Sequence, residues 1–191
     1  MIEDDLARAP RRLFTRRLRL ETPRIEHAEA VMASINASLP DLRFVAWAQR
    51  AVDLVWAQSF TRRGERFVDE GDALIYYAFE RETGAFAGNL DLHHFEFEVP
   101  RCQIGYVADS RHAGRGLMHE AASAVVDVAF SLGFLRIEAH SDIENRRAIR
   151  FALGLGFREE GVLHAYERDE QGSLRDVVLL ARLHPSLVRA V

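Results

Sequence analysis

Between Cys102 and Gly156 the chain alternates apolar runs and helical periods in an order that few folds accommodate. Cys102 to Ala108 is a short apolar strand, followed by a loop carrying Gly114 and Gly116. Leu117, Ala121, Ala124, Val125, Val128, Ala129 and Leu132 then mark one face of a helix that Gly133 terminates. Phe134 to His140 is another strand, and Asn145 to Leu155 another helix, closed by Gly156. A strand–helix–strand crossover of this kind makes a parallel pair, because the helix carries the chain back over one face before the second strand begins.

Hairpins flank this block. Leu13 to Leu20 alternates as a first strand, and Thr22-Pro23 opens a helix through about Ile35. From Trp47 to about Asp69, apolar residues including Val52, Val55, Trp56, Phe60 and Phe67 recur at helical spacing. Leu74 to Phe79 is aromatic and β-branched, and Thr83-Gly84 turns it into a long second arm from Ala85 to Phe97, closed by Pro100. Val162 to Arg168 and Leu174 to Leu183 form a last hairpin across Gln171-Gly172. The expected fold class is α/β in the mixed α+β sense, a mostly antiparallel sheet with a central parallel pair and flanking helices. A chain of 191 residues suits one domain over residues 1–191.

Composition narrows the function classes. Hydrophobic residues at 48% and charged residues at 28% describe a soluble globular chain. No apolar run approaches the roughly 20 residues of a membrane span, and the acidic start Met1-Ile2-Glu3-Asp4-Asp5 is unlike a secretory signal. The single cysteine, Cys102, cannot form an internal disulfide and reads as a small hydrophobe on its strand, so a cytoplasmic setting is expected. A net charge of -4 offers no general attraction to nucleic acid. The basic cluster Arg8, Arg11, Arg12, Arg16, Arg17, Arg19 and Arg24 is broken by acids and lacks aromatic interleaving, so it reads as a solvated face or subunit contact before an anion site. Every basic residue is arginine. The absence of lysine removes Schiff-base chemistry and the phosphate-binding lysine of a P-loop. No His-Glu-x-x-His motif or thiolate cluster is present, so no metal is expected.

The loop Arg111-His112-Ala113-Gly114-Arg115-Gly116 carries the strongest chemical signal. Its glycines permit positive φ and close backbone approach, and the free N–H groups of the following helix favour an anion. Each charge–dipole contact is worth only about 0.3–1 kcal/mol, so a pyrophosphate needs several, with Arg111 and Arg115 available to add charge. A tight turn without a ligand is the plain alternative. A dinucleotide fingerprint is disfavoured, since His119 stands where its third glycine belongs.

Taken together, Ile104-Gly105-Tyr106, Arg111-x-x-Gly114-x-Gly116, Asn145 and Gly156-Phe157 resemble the GNAT acetyltransferase superfamily. More narrowly the chain resembles its RimJ/RimL-like ribosomal-protein N-terminal acetyltransferase group. The opening Thr15-Arg16-Arg17-Leu18-Arg19-Leu20, the stretch Glu160-Gly161-Val162-Leu163 and Asp176-Val177-Val178 fit that group, so the similarity spans nearly the whole chain. The resemblance implies that the two central parallel strands splay apart and that acetyl-CoA is the cosubstrate. It implies that Tyr106, Val107, Ala108 and Asp109 offer backbone groups to the pantetheine arm. Arg111, His112, Ala113, Gly114, Arg115 and Gly116, with Leu117, would take the pyrophosphate, and Asn145 would contact the coenzyme. Asn145 is equally a natural helix N-cap, and the two roles are compatible. The resemblance also admits a homodimer.

The family's catalytic positions carry over poorly. Its tyrosine in the helix after the asparagine falls at Ala152, the group's serine falls at Ala148, and its carboxylate in the penultimate strand falls at or beside Tyr166, next to Glu167. Glu138 and His140 share one face of the strand beside the coenzyme strand and are candidates for water-mediated bases, with structural polar residues as the alternative. Of His93 and His94, beside Asp91 and Glu96, only one can face the cleft, and a solvent-facing or hydrogen-bonded pair is the plain alternative. An amine attacks a thioester only when neutral. A lysine side chain spends about 4.6 kcal/mol on neutrality at pH 7, whereas an α-amine spends about 1.1. An enzyme without a strong base therefore suits α-amines or other weakly basic acceptors, with orientation supplying most of the acceleration. The expected activity is acetyl transfer from acetyl-CoA to a primary amine by direct attack, the acceptor being a peptide N-terminus or a small molecule. A coenzyme-binding sensor without catalysis is the rival reading.

Overall fold

The computed structural model describes residues 6–187; Met1 to Asp5, with the acidic Glu3-Asp4-Asp5, and residues 188–191 lie outside the described residues. Among the described residues eight strands form one sheet in the order β1-β2-β3-β4-β5-β6-β8-β7. They are β1 (Arg12–Phe14), β2 (Leu18–Glu21), β3 (Leu74–Glu80), β4 (Phe86–Glu96), β5 (Arg101–Ala108), β6 (Arg136–Asp142), β7 (Arg158–Arg168) and β8 (Leu174–Leu183). Neighbours run antiparallel except β5 and β6, the parallel pair expected from the crossover.

That pair opens soon after it starts. Arg101, Cys102 and Gln103 lie opposite Arg136, Ile137 and Glu138, and beyond this point the two strands run on without pairing. The resulting wedge is the splay implied by the family resemblance. Its β5 edge carries free backbone groups for a simple reason. Antiparallel partners alternate in which residues exchange hydrogen bonds, and Asp109 N–H donates to Ala87. Residues 105 and 107 therefore turn their backbone toward β4, while Tyr106 and Ala108 turn theirs into the wedge.

Among the described residues four helices cover the sheet: α1 (Ala28–Ser38), α2 (Leu54–Glu70), α3 (Leu117–Ser131) and α4 (Arg146–Gly154). On one face, Leu117, Ala121, Ala122, Val125, Val126 and Ala129 of α3 pack with Ile149 and Ala152 of α4 against Leu90, Leu92, Ile104, Ile137 and Leu180. On the other, Val31 and Ile35 of α1, with Trp56 and Phe60 of α2, pack against Tyr77, Phe79, Phe86 and Val107.

Some boundaries differ from the sequence reading. The expected strand from Leu13 to Leu20 is two short strands, because Thr15 and Leu18 close a turn between them: Thr15 N–H donates to Leu18 C=O at 2.9 Å and Leu18 N–H donates to the Thr15 hydroxyl at 3.0 Å. The helix expected from Thr22-Pro23 begins with a 3-10 turn at Ile25–His27 and continues to Ser38. The helix after Trp47 starts only at Leu54, where the Asp53 carboxylate accepts the Trp56 N–H at 2.8 Å and caps it. Strand β7 begins at Arg158, four residues before the expected Val162.

Candidate active site

The glycine loop fixes a set of bare amides at the far end of β5. Gly114 and Gly116 have φ of 75° and 72°, the left-handed region that glycine enters without steric cost. Gly116 is the N-cap of α3 and supplies no side chain, so no cap of the kind Asp53 and Asn145 provide engages the first-turn N–H groups. The first bond into this helix runs from Glu120 N–H to Gly116 C=O. No hydrogen bond to a described residue engages the N–H groups of Gly114, Arg115, Gly116, Leu117, Met118 or His119. A run of unpaired amides at a helix origin suits a phosphorylated ligand.

The loop's arginines are engaged within the protein. Arg111 forks onto Asp109, with Nη2 2.5 Å and Nε 2.9 Å from its carboxylate, and Arg115 pairs with Glu80 and approaches His112 Nδ1 at 3.0 Å. Burial pushes Asp109 upward, but hydrogen bonds and charge from Arg111 outweigh it and hold the carboxyl below its ordinary range. What the loop offers an anion is therefore first its amides. His119, at the place of a third glycine, contacts the Gly154 carbonyl at 3.0 Å and ties α3 to α4.

A cleft of about 640 Å³ opens where β5 and β6 part. Its lining includes Ile104 to Val107 of β5, Ala139 to Asp142 of β6, and Asn145 and Ala148 at the origin of α4. Arg43 to Trp47 and residues 167–171 contribute to its rim. Of the residues expected to contact the coenzyme, Tyr106, Val107 and Asn145 line this cleft, while Ala108, Asp109 and Arg111 to Leu117 continue from the end of β5. Asn145 caps α4 by accepting the Ala148 N–H at 3.2 Å, which leaves its side-chain amide as a donor. Tyr106 donates to the Ala148 carbonyl at 3.1 Å and packs on Phe151, and burial raises its hydroxyl above its ordinary value.

The expected catalytic candidates gather around His140. His140 and Glu167 line the cleft. Tyr166, 53% exposed, stands edge-on to His140 with ring centres 5.7 Å apart. Glu138 lies 3.5 Å from His140 Nε2, but it also accepts from Arg136 Nε at 2.7 Å and meets Arg101 at 3.4 Å. Burial pushes Glu138 upward, yet Arg136 and Arg101 prevail and hold it below the ordinary range, so it is a weakened base. Cys102 is buried and its thiol is pushed up to about 12 by burial and then by Glu138, which keeps it protonated.

Of the histidine pair named in the sequence, His93 lines the cleft and His94 does not. Other contributions escaped the sequence. Asp142 and Glu144 share Arg175, at 2.8 and 2.7 Å, across the base of the cleft. Arg17, from the turn before β2, reaches the glycine loop and Glu120.

With this geometry, the sequence profile of the acetyltransferase (GNAT) domain matches residues 17–158. The chain belongs to the GNAT acetyltransferases. It is 29% identical over 172 residues to an uncharacterized N-acetyltransferase, p20, of Bacillus licheniformis, covering 90% of this chain and 95% of that protein. An uncharacterized N-acetyltransferase of Bacillus subtilis (strain 168), YoaA, is 36% identical over 87 residues, 45% of this chain and 49% of that one. Among solved structures, the fold superposes on the microcin self-immunity acetyltransferase MccE in complex with acetyl-CoA and AMP with a TM-score of 0.82 at 20% identity, covering 89% of this chain and 94% of that one. A RimL ribosomal-protein α-N-acetyltransferase in complex with coenzyme A gives a TM-score of 0.80 at 21% identity, covering 92% and 97%. This GNAT protein is therefore an acetyltransferase with the fold of the RimL enzymes. No helix among its described residues is long and apolar enough to cross a membrane.

Proposed function

We propose that this GNAT enzyme transfers the acetyl group of acetyl-CoA to a primary amine by direct attack, as a single domain working in the cytoplasm. The amine is a peptide or protein α-amine, as in the RimJ/RimL-like group, or a small amine of similar basicity. The observation that carries the reading is the run of unpaired amides from Gly114 to His119, at the end of a strand whose backbone is exposed along the wedge. The pyrophosphate binds those amides. The pantetheine arm lies along Tyr106 and Ala108, and the Asn145 side-chain amide completes the coenzyme contacts.

The acceptor enters from the face that carries Asp91, His93 and His140. Holding amine and thioester together there removes the entropy of encounter, the largest part of the barrier that a positioning site can lower. The experiment is thiol release at pH 7 from acetyl-CoA, with peptides bearing a free α-amine compared against Nα-blocked lysine peptides. Faster release with free α-amines is expected. A preference for lysine side chains overturns the acceptor class.

A further inference from the structure

Asp91 and His93 stand two residues apart on β4 and project from the same face of the sheet into the cleft. His93 Nδ1 lies 2.5 Å from Asp91 Oδ2, within ion-pair reach but outside hydrogen-bond geometry, so the ring must turn for Asp91 to take its Nδ1–H. The carboxylate can lie there only because β5 presents a glycine opposite: a Cβ at Gly105 would sit 2.7 Å from Asp91 Oδ1 and 3.1 Å from Oδ2. Gly105 is the register partner of Asp91, just past Gln103, where pairing between β5 and β6 ends. No described arginine pairs with Asp91, in contrast to Glu138, which Arg136 and Arg101 occupy. The His94 ring lies 4.8 Å from that of His93, Glu138 stands across β5 by register, and Arg43, His140, Asp142, Glu144, Arg175 and the charged stretch 167–170 line the same cleft.

From this arrangement we infer that His93 is the general base of the transfer and Asp91 its positioning residue, with Gly105 providing the space. The inference rests on the proposed amine acceptor. Asp91 takes the Nδ1–H of His93, which leaves the Nε2 lone pair free. His93 Nε2 removes one proton from the incoming ammonium. The neutral nitrogen then forms the C–N bond at the thioester carbonyl. The C–S bond breaks with its electron pair on sulfur, and the second nitrogen proton passes to that sulfur. His93 returns its proton to solvent, so one ammonium and one thioester give one amide, one thiol and one proton.

The test uses His93→Gln and Asp91→Asn in the full chain, with His94→Gln as control. It follows thiol release from acetyl-CoA with a free-N-terminus peptide between pH 7 and 9.5. A positioned general base contributes about 10²–10⁴-fold, so His93→Gln should lose at least about a hundredfold in kcat/KM at pH 7. The loss should shrink toward pH 9.5, where the α-amine is already neutral, and acetyl-CoA affinity by titration should stay within twofold. In the protein without ligand, nitrogen NMR should find His93 as the Nδ1–H tautomer, a preference that Asp91→Asn removes. A deficit that is equal at every pH, full activity in His93→Gln, or an Nε2–H tautomer overturns the assignment while leaving the acetyltransferase reading intact. Unaltered acetyl-CoA binding without wild-type turnover of any amine overturns the acceptor class and this base with it.

Discussion

The Arg17 guanidinium donates to the main-chain carbonyls of Arg115 and Gly116, at 2.8 and 3.1 Å, across 98 and 99 residues of sequence. Its Nε holds Glu120 at 2.6 Å, and the Thr15 hydroxyl donates to the same carboxylate at 2.5 Å. In a trans peptide the C=O and the next N–H point in opposite directions. Drawing the carbonyls of Arg115 and Gly116 toward Arg17 therefore aims the N–H groups of Gly116 and Leu117 away from it. A side chain that need not touch the coenzyme thus sets the direction of the amides proposed to bind it.

Removing that fork should loosen the loop. Arg17→Gln is expected to weaken coenzyme A binding about tenfold, ~1.4 kcal/mol, as read by isothermal titration. Arg17→Lys should not restore affinity, because a single ammonium cannot reproduce the fork.

Asn145 separates its two roles by substitution. Asn145→Ala removes the cap acceptor for the Ala148 N–H, at a cost of about 1 kcal/mol, and should lower the melting temperature by roughly 2–4 °C. Asn145→Asp keeps the acceptor and deletes the amide donor. It should melt as the wild type does yet bind coenzyme A several-fold more weakly. Equal affinities in Asn145→Asp and the wild type would remove the coenzyme contact.

Gly105→Ala should act on Asp91. Its methyl would meet the carboxylate at 2.7 Å, and since Gly105 is not in the left-handed region, backbone strain does not enter. We expect at least a tenfold fall in kcat/KM with acetyl-CoA affinity unchanged, measured by thiol release and titration.

Acid should destabilise the fold in two stages. Burial, the largest influence on His27, pulls its imidazole below the ordinary 6.5 despite the nearby Glu21. The unfolded chain takes up that proton first, so stability falls as pH drops below about 6.5. Asp109 and Glu120 are pushed up by burial, but Arg111 on the one and Thr15 with Arg17 on the other outweigh it. Their stabilisation is complete above the ordinary values of 3.8 and 4.5 and disappears as pH falls through the lower folded values. Melting curves should decline gently below pH 6.5 and steeply below pH 4.5, and His27→Gln should abolish the gentle phase alone.

The parts legible in the sequence were those with local signals. Apolar periodicity fixed α3 from Leu117, the glycines marked the loop, and the crossover required β5 and β6 to be parallel. Asn145 was readable as a cap because capping is a three-residue contact. The destinations of charge were not legible. Arg111 and Arg115 belong to the loop and look available to an anion, yet Asp109 and Glu80 engage them. The Arg17 contact spans about a hundred residues, and no local pattern records a pairing at that range. Gly105 belonged to a recognisable motif, but its physical reason, room for a carboxylate on the neighbouring strand, exists only in the folded sheet.

The unpaired amides are the central claim, and Gly114 is the place to test it. A side chain there meets nothing within 4 Å, and aspartate tolerates its φ of 75° better than most residues. Titration of acetyl-CoA into Gly114→Asp should give an affinity at least about tenfold below the wild type, ~1.4 kcal/mol, with an unchanged fold by circular dichroism. Wild-type affinity in that variant would contradict coenzyme binding at this loop.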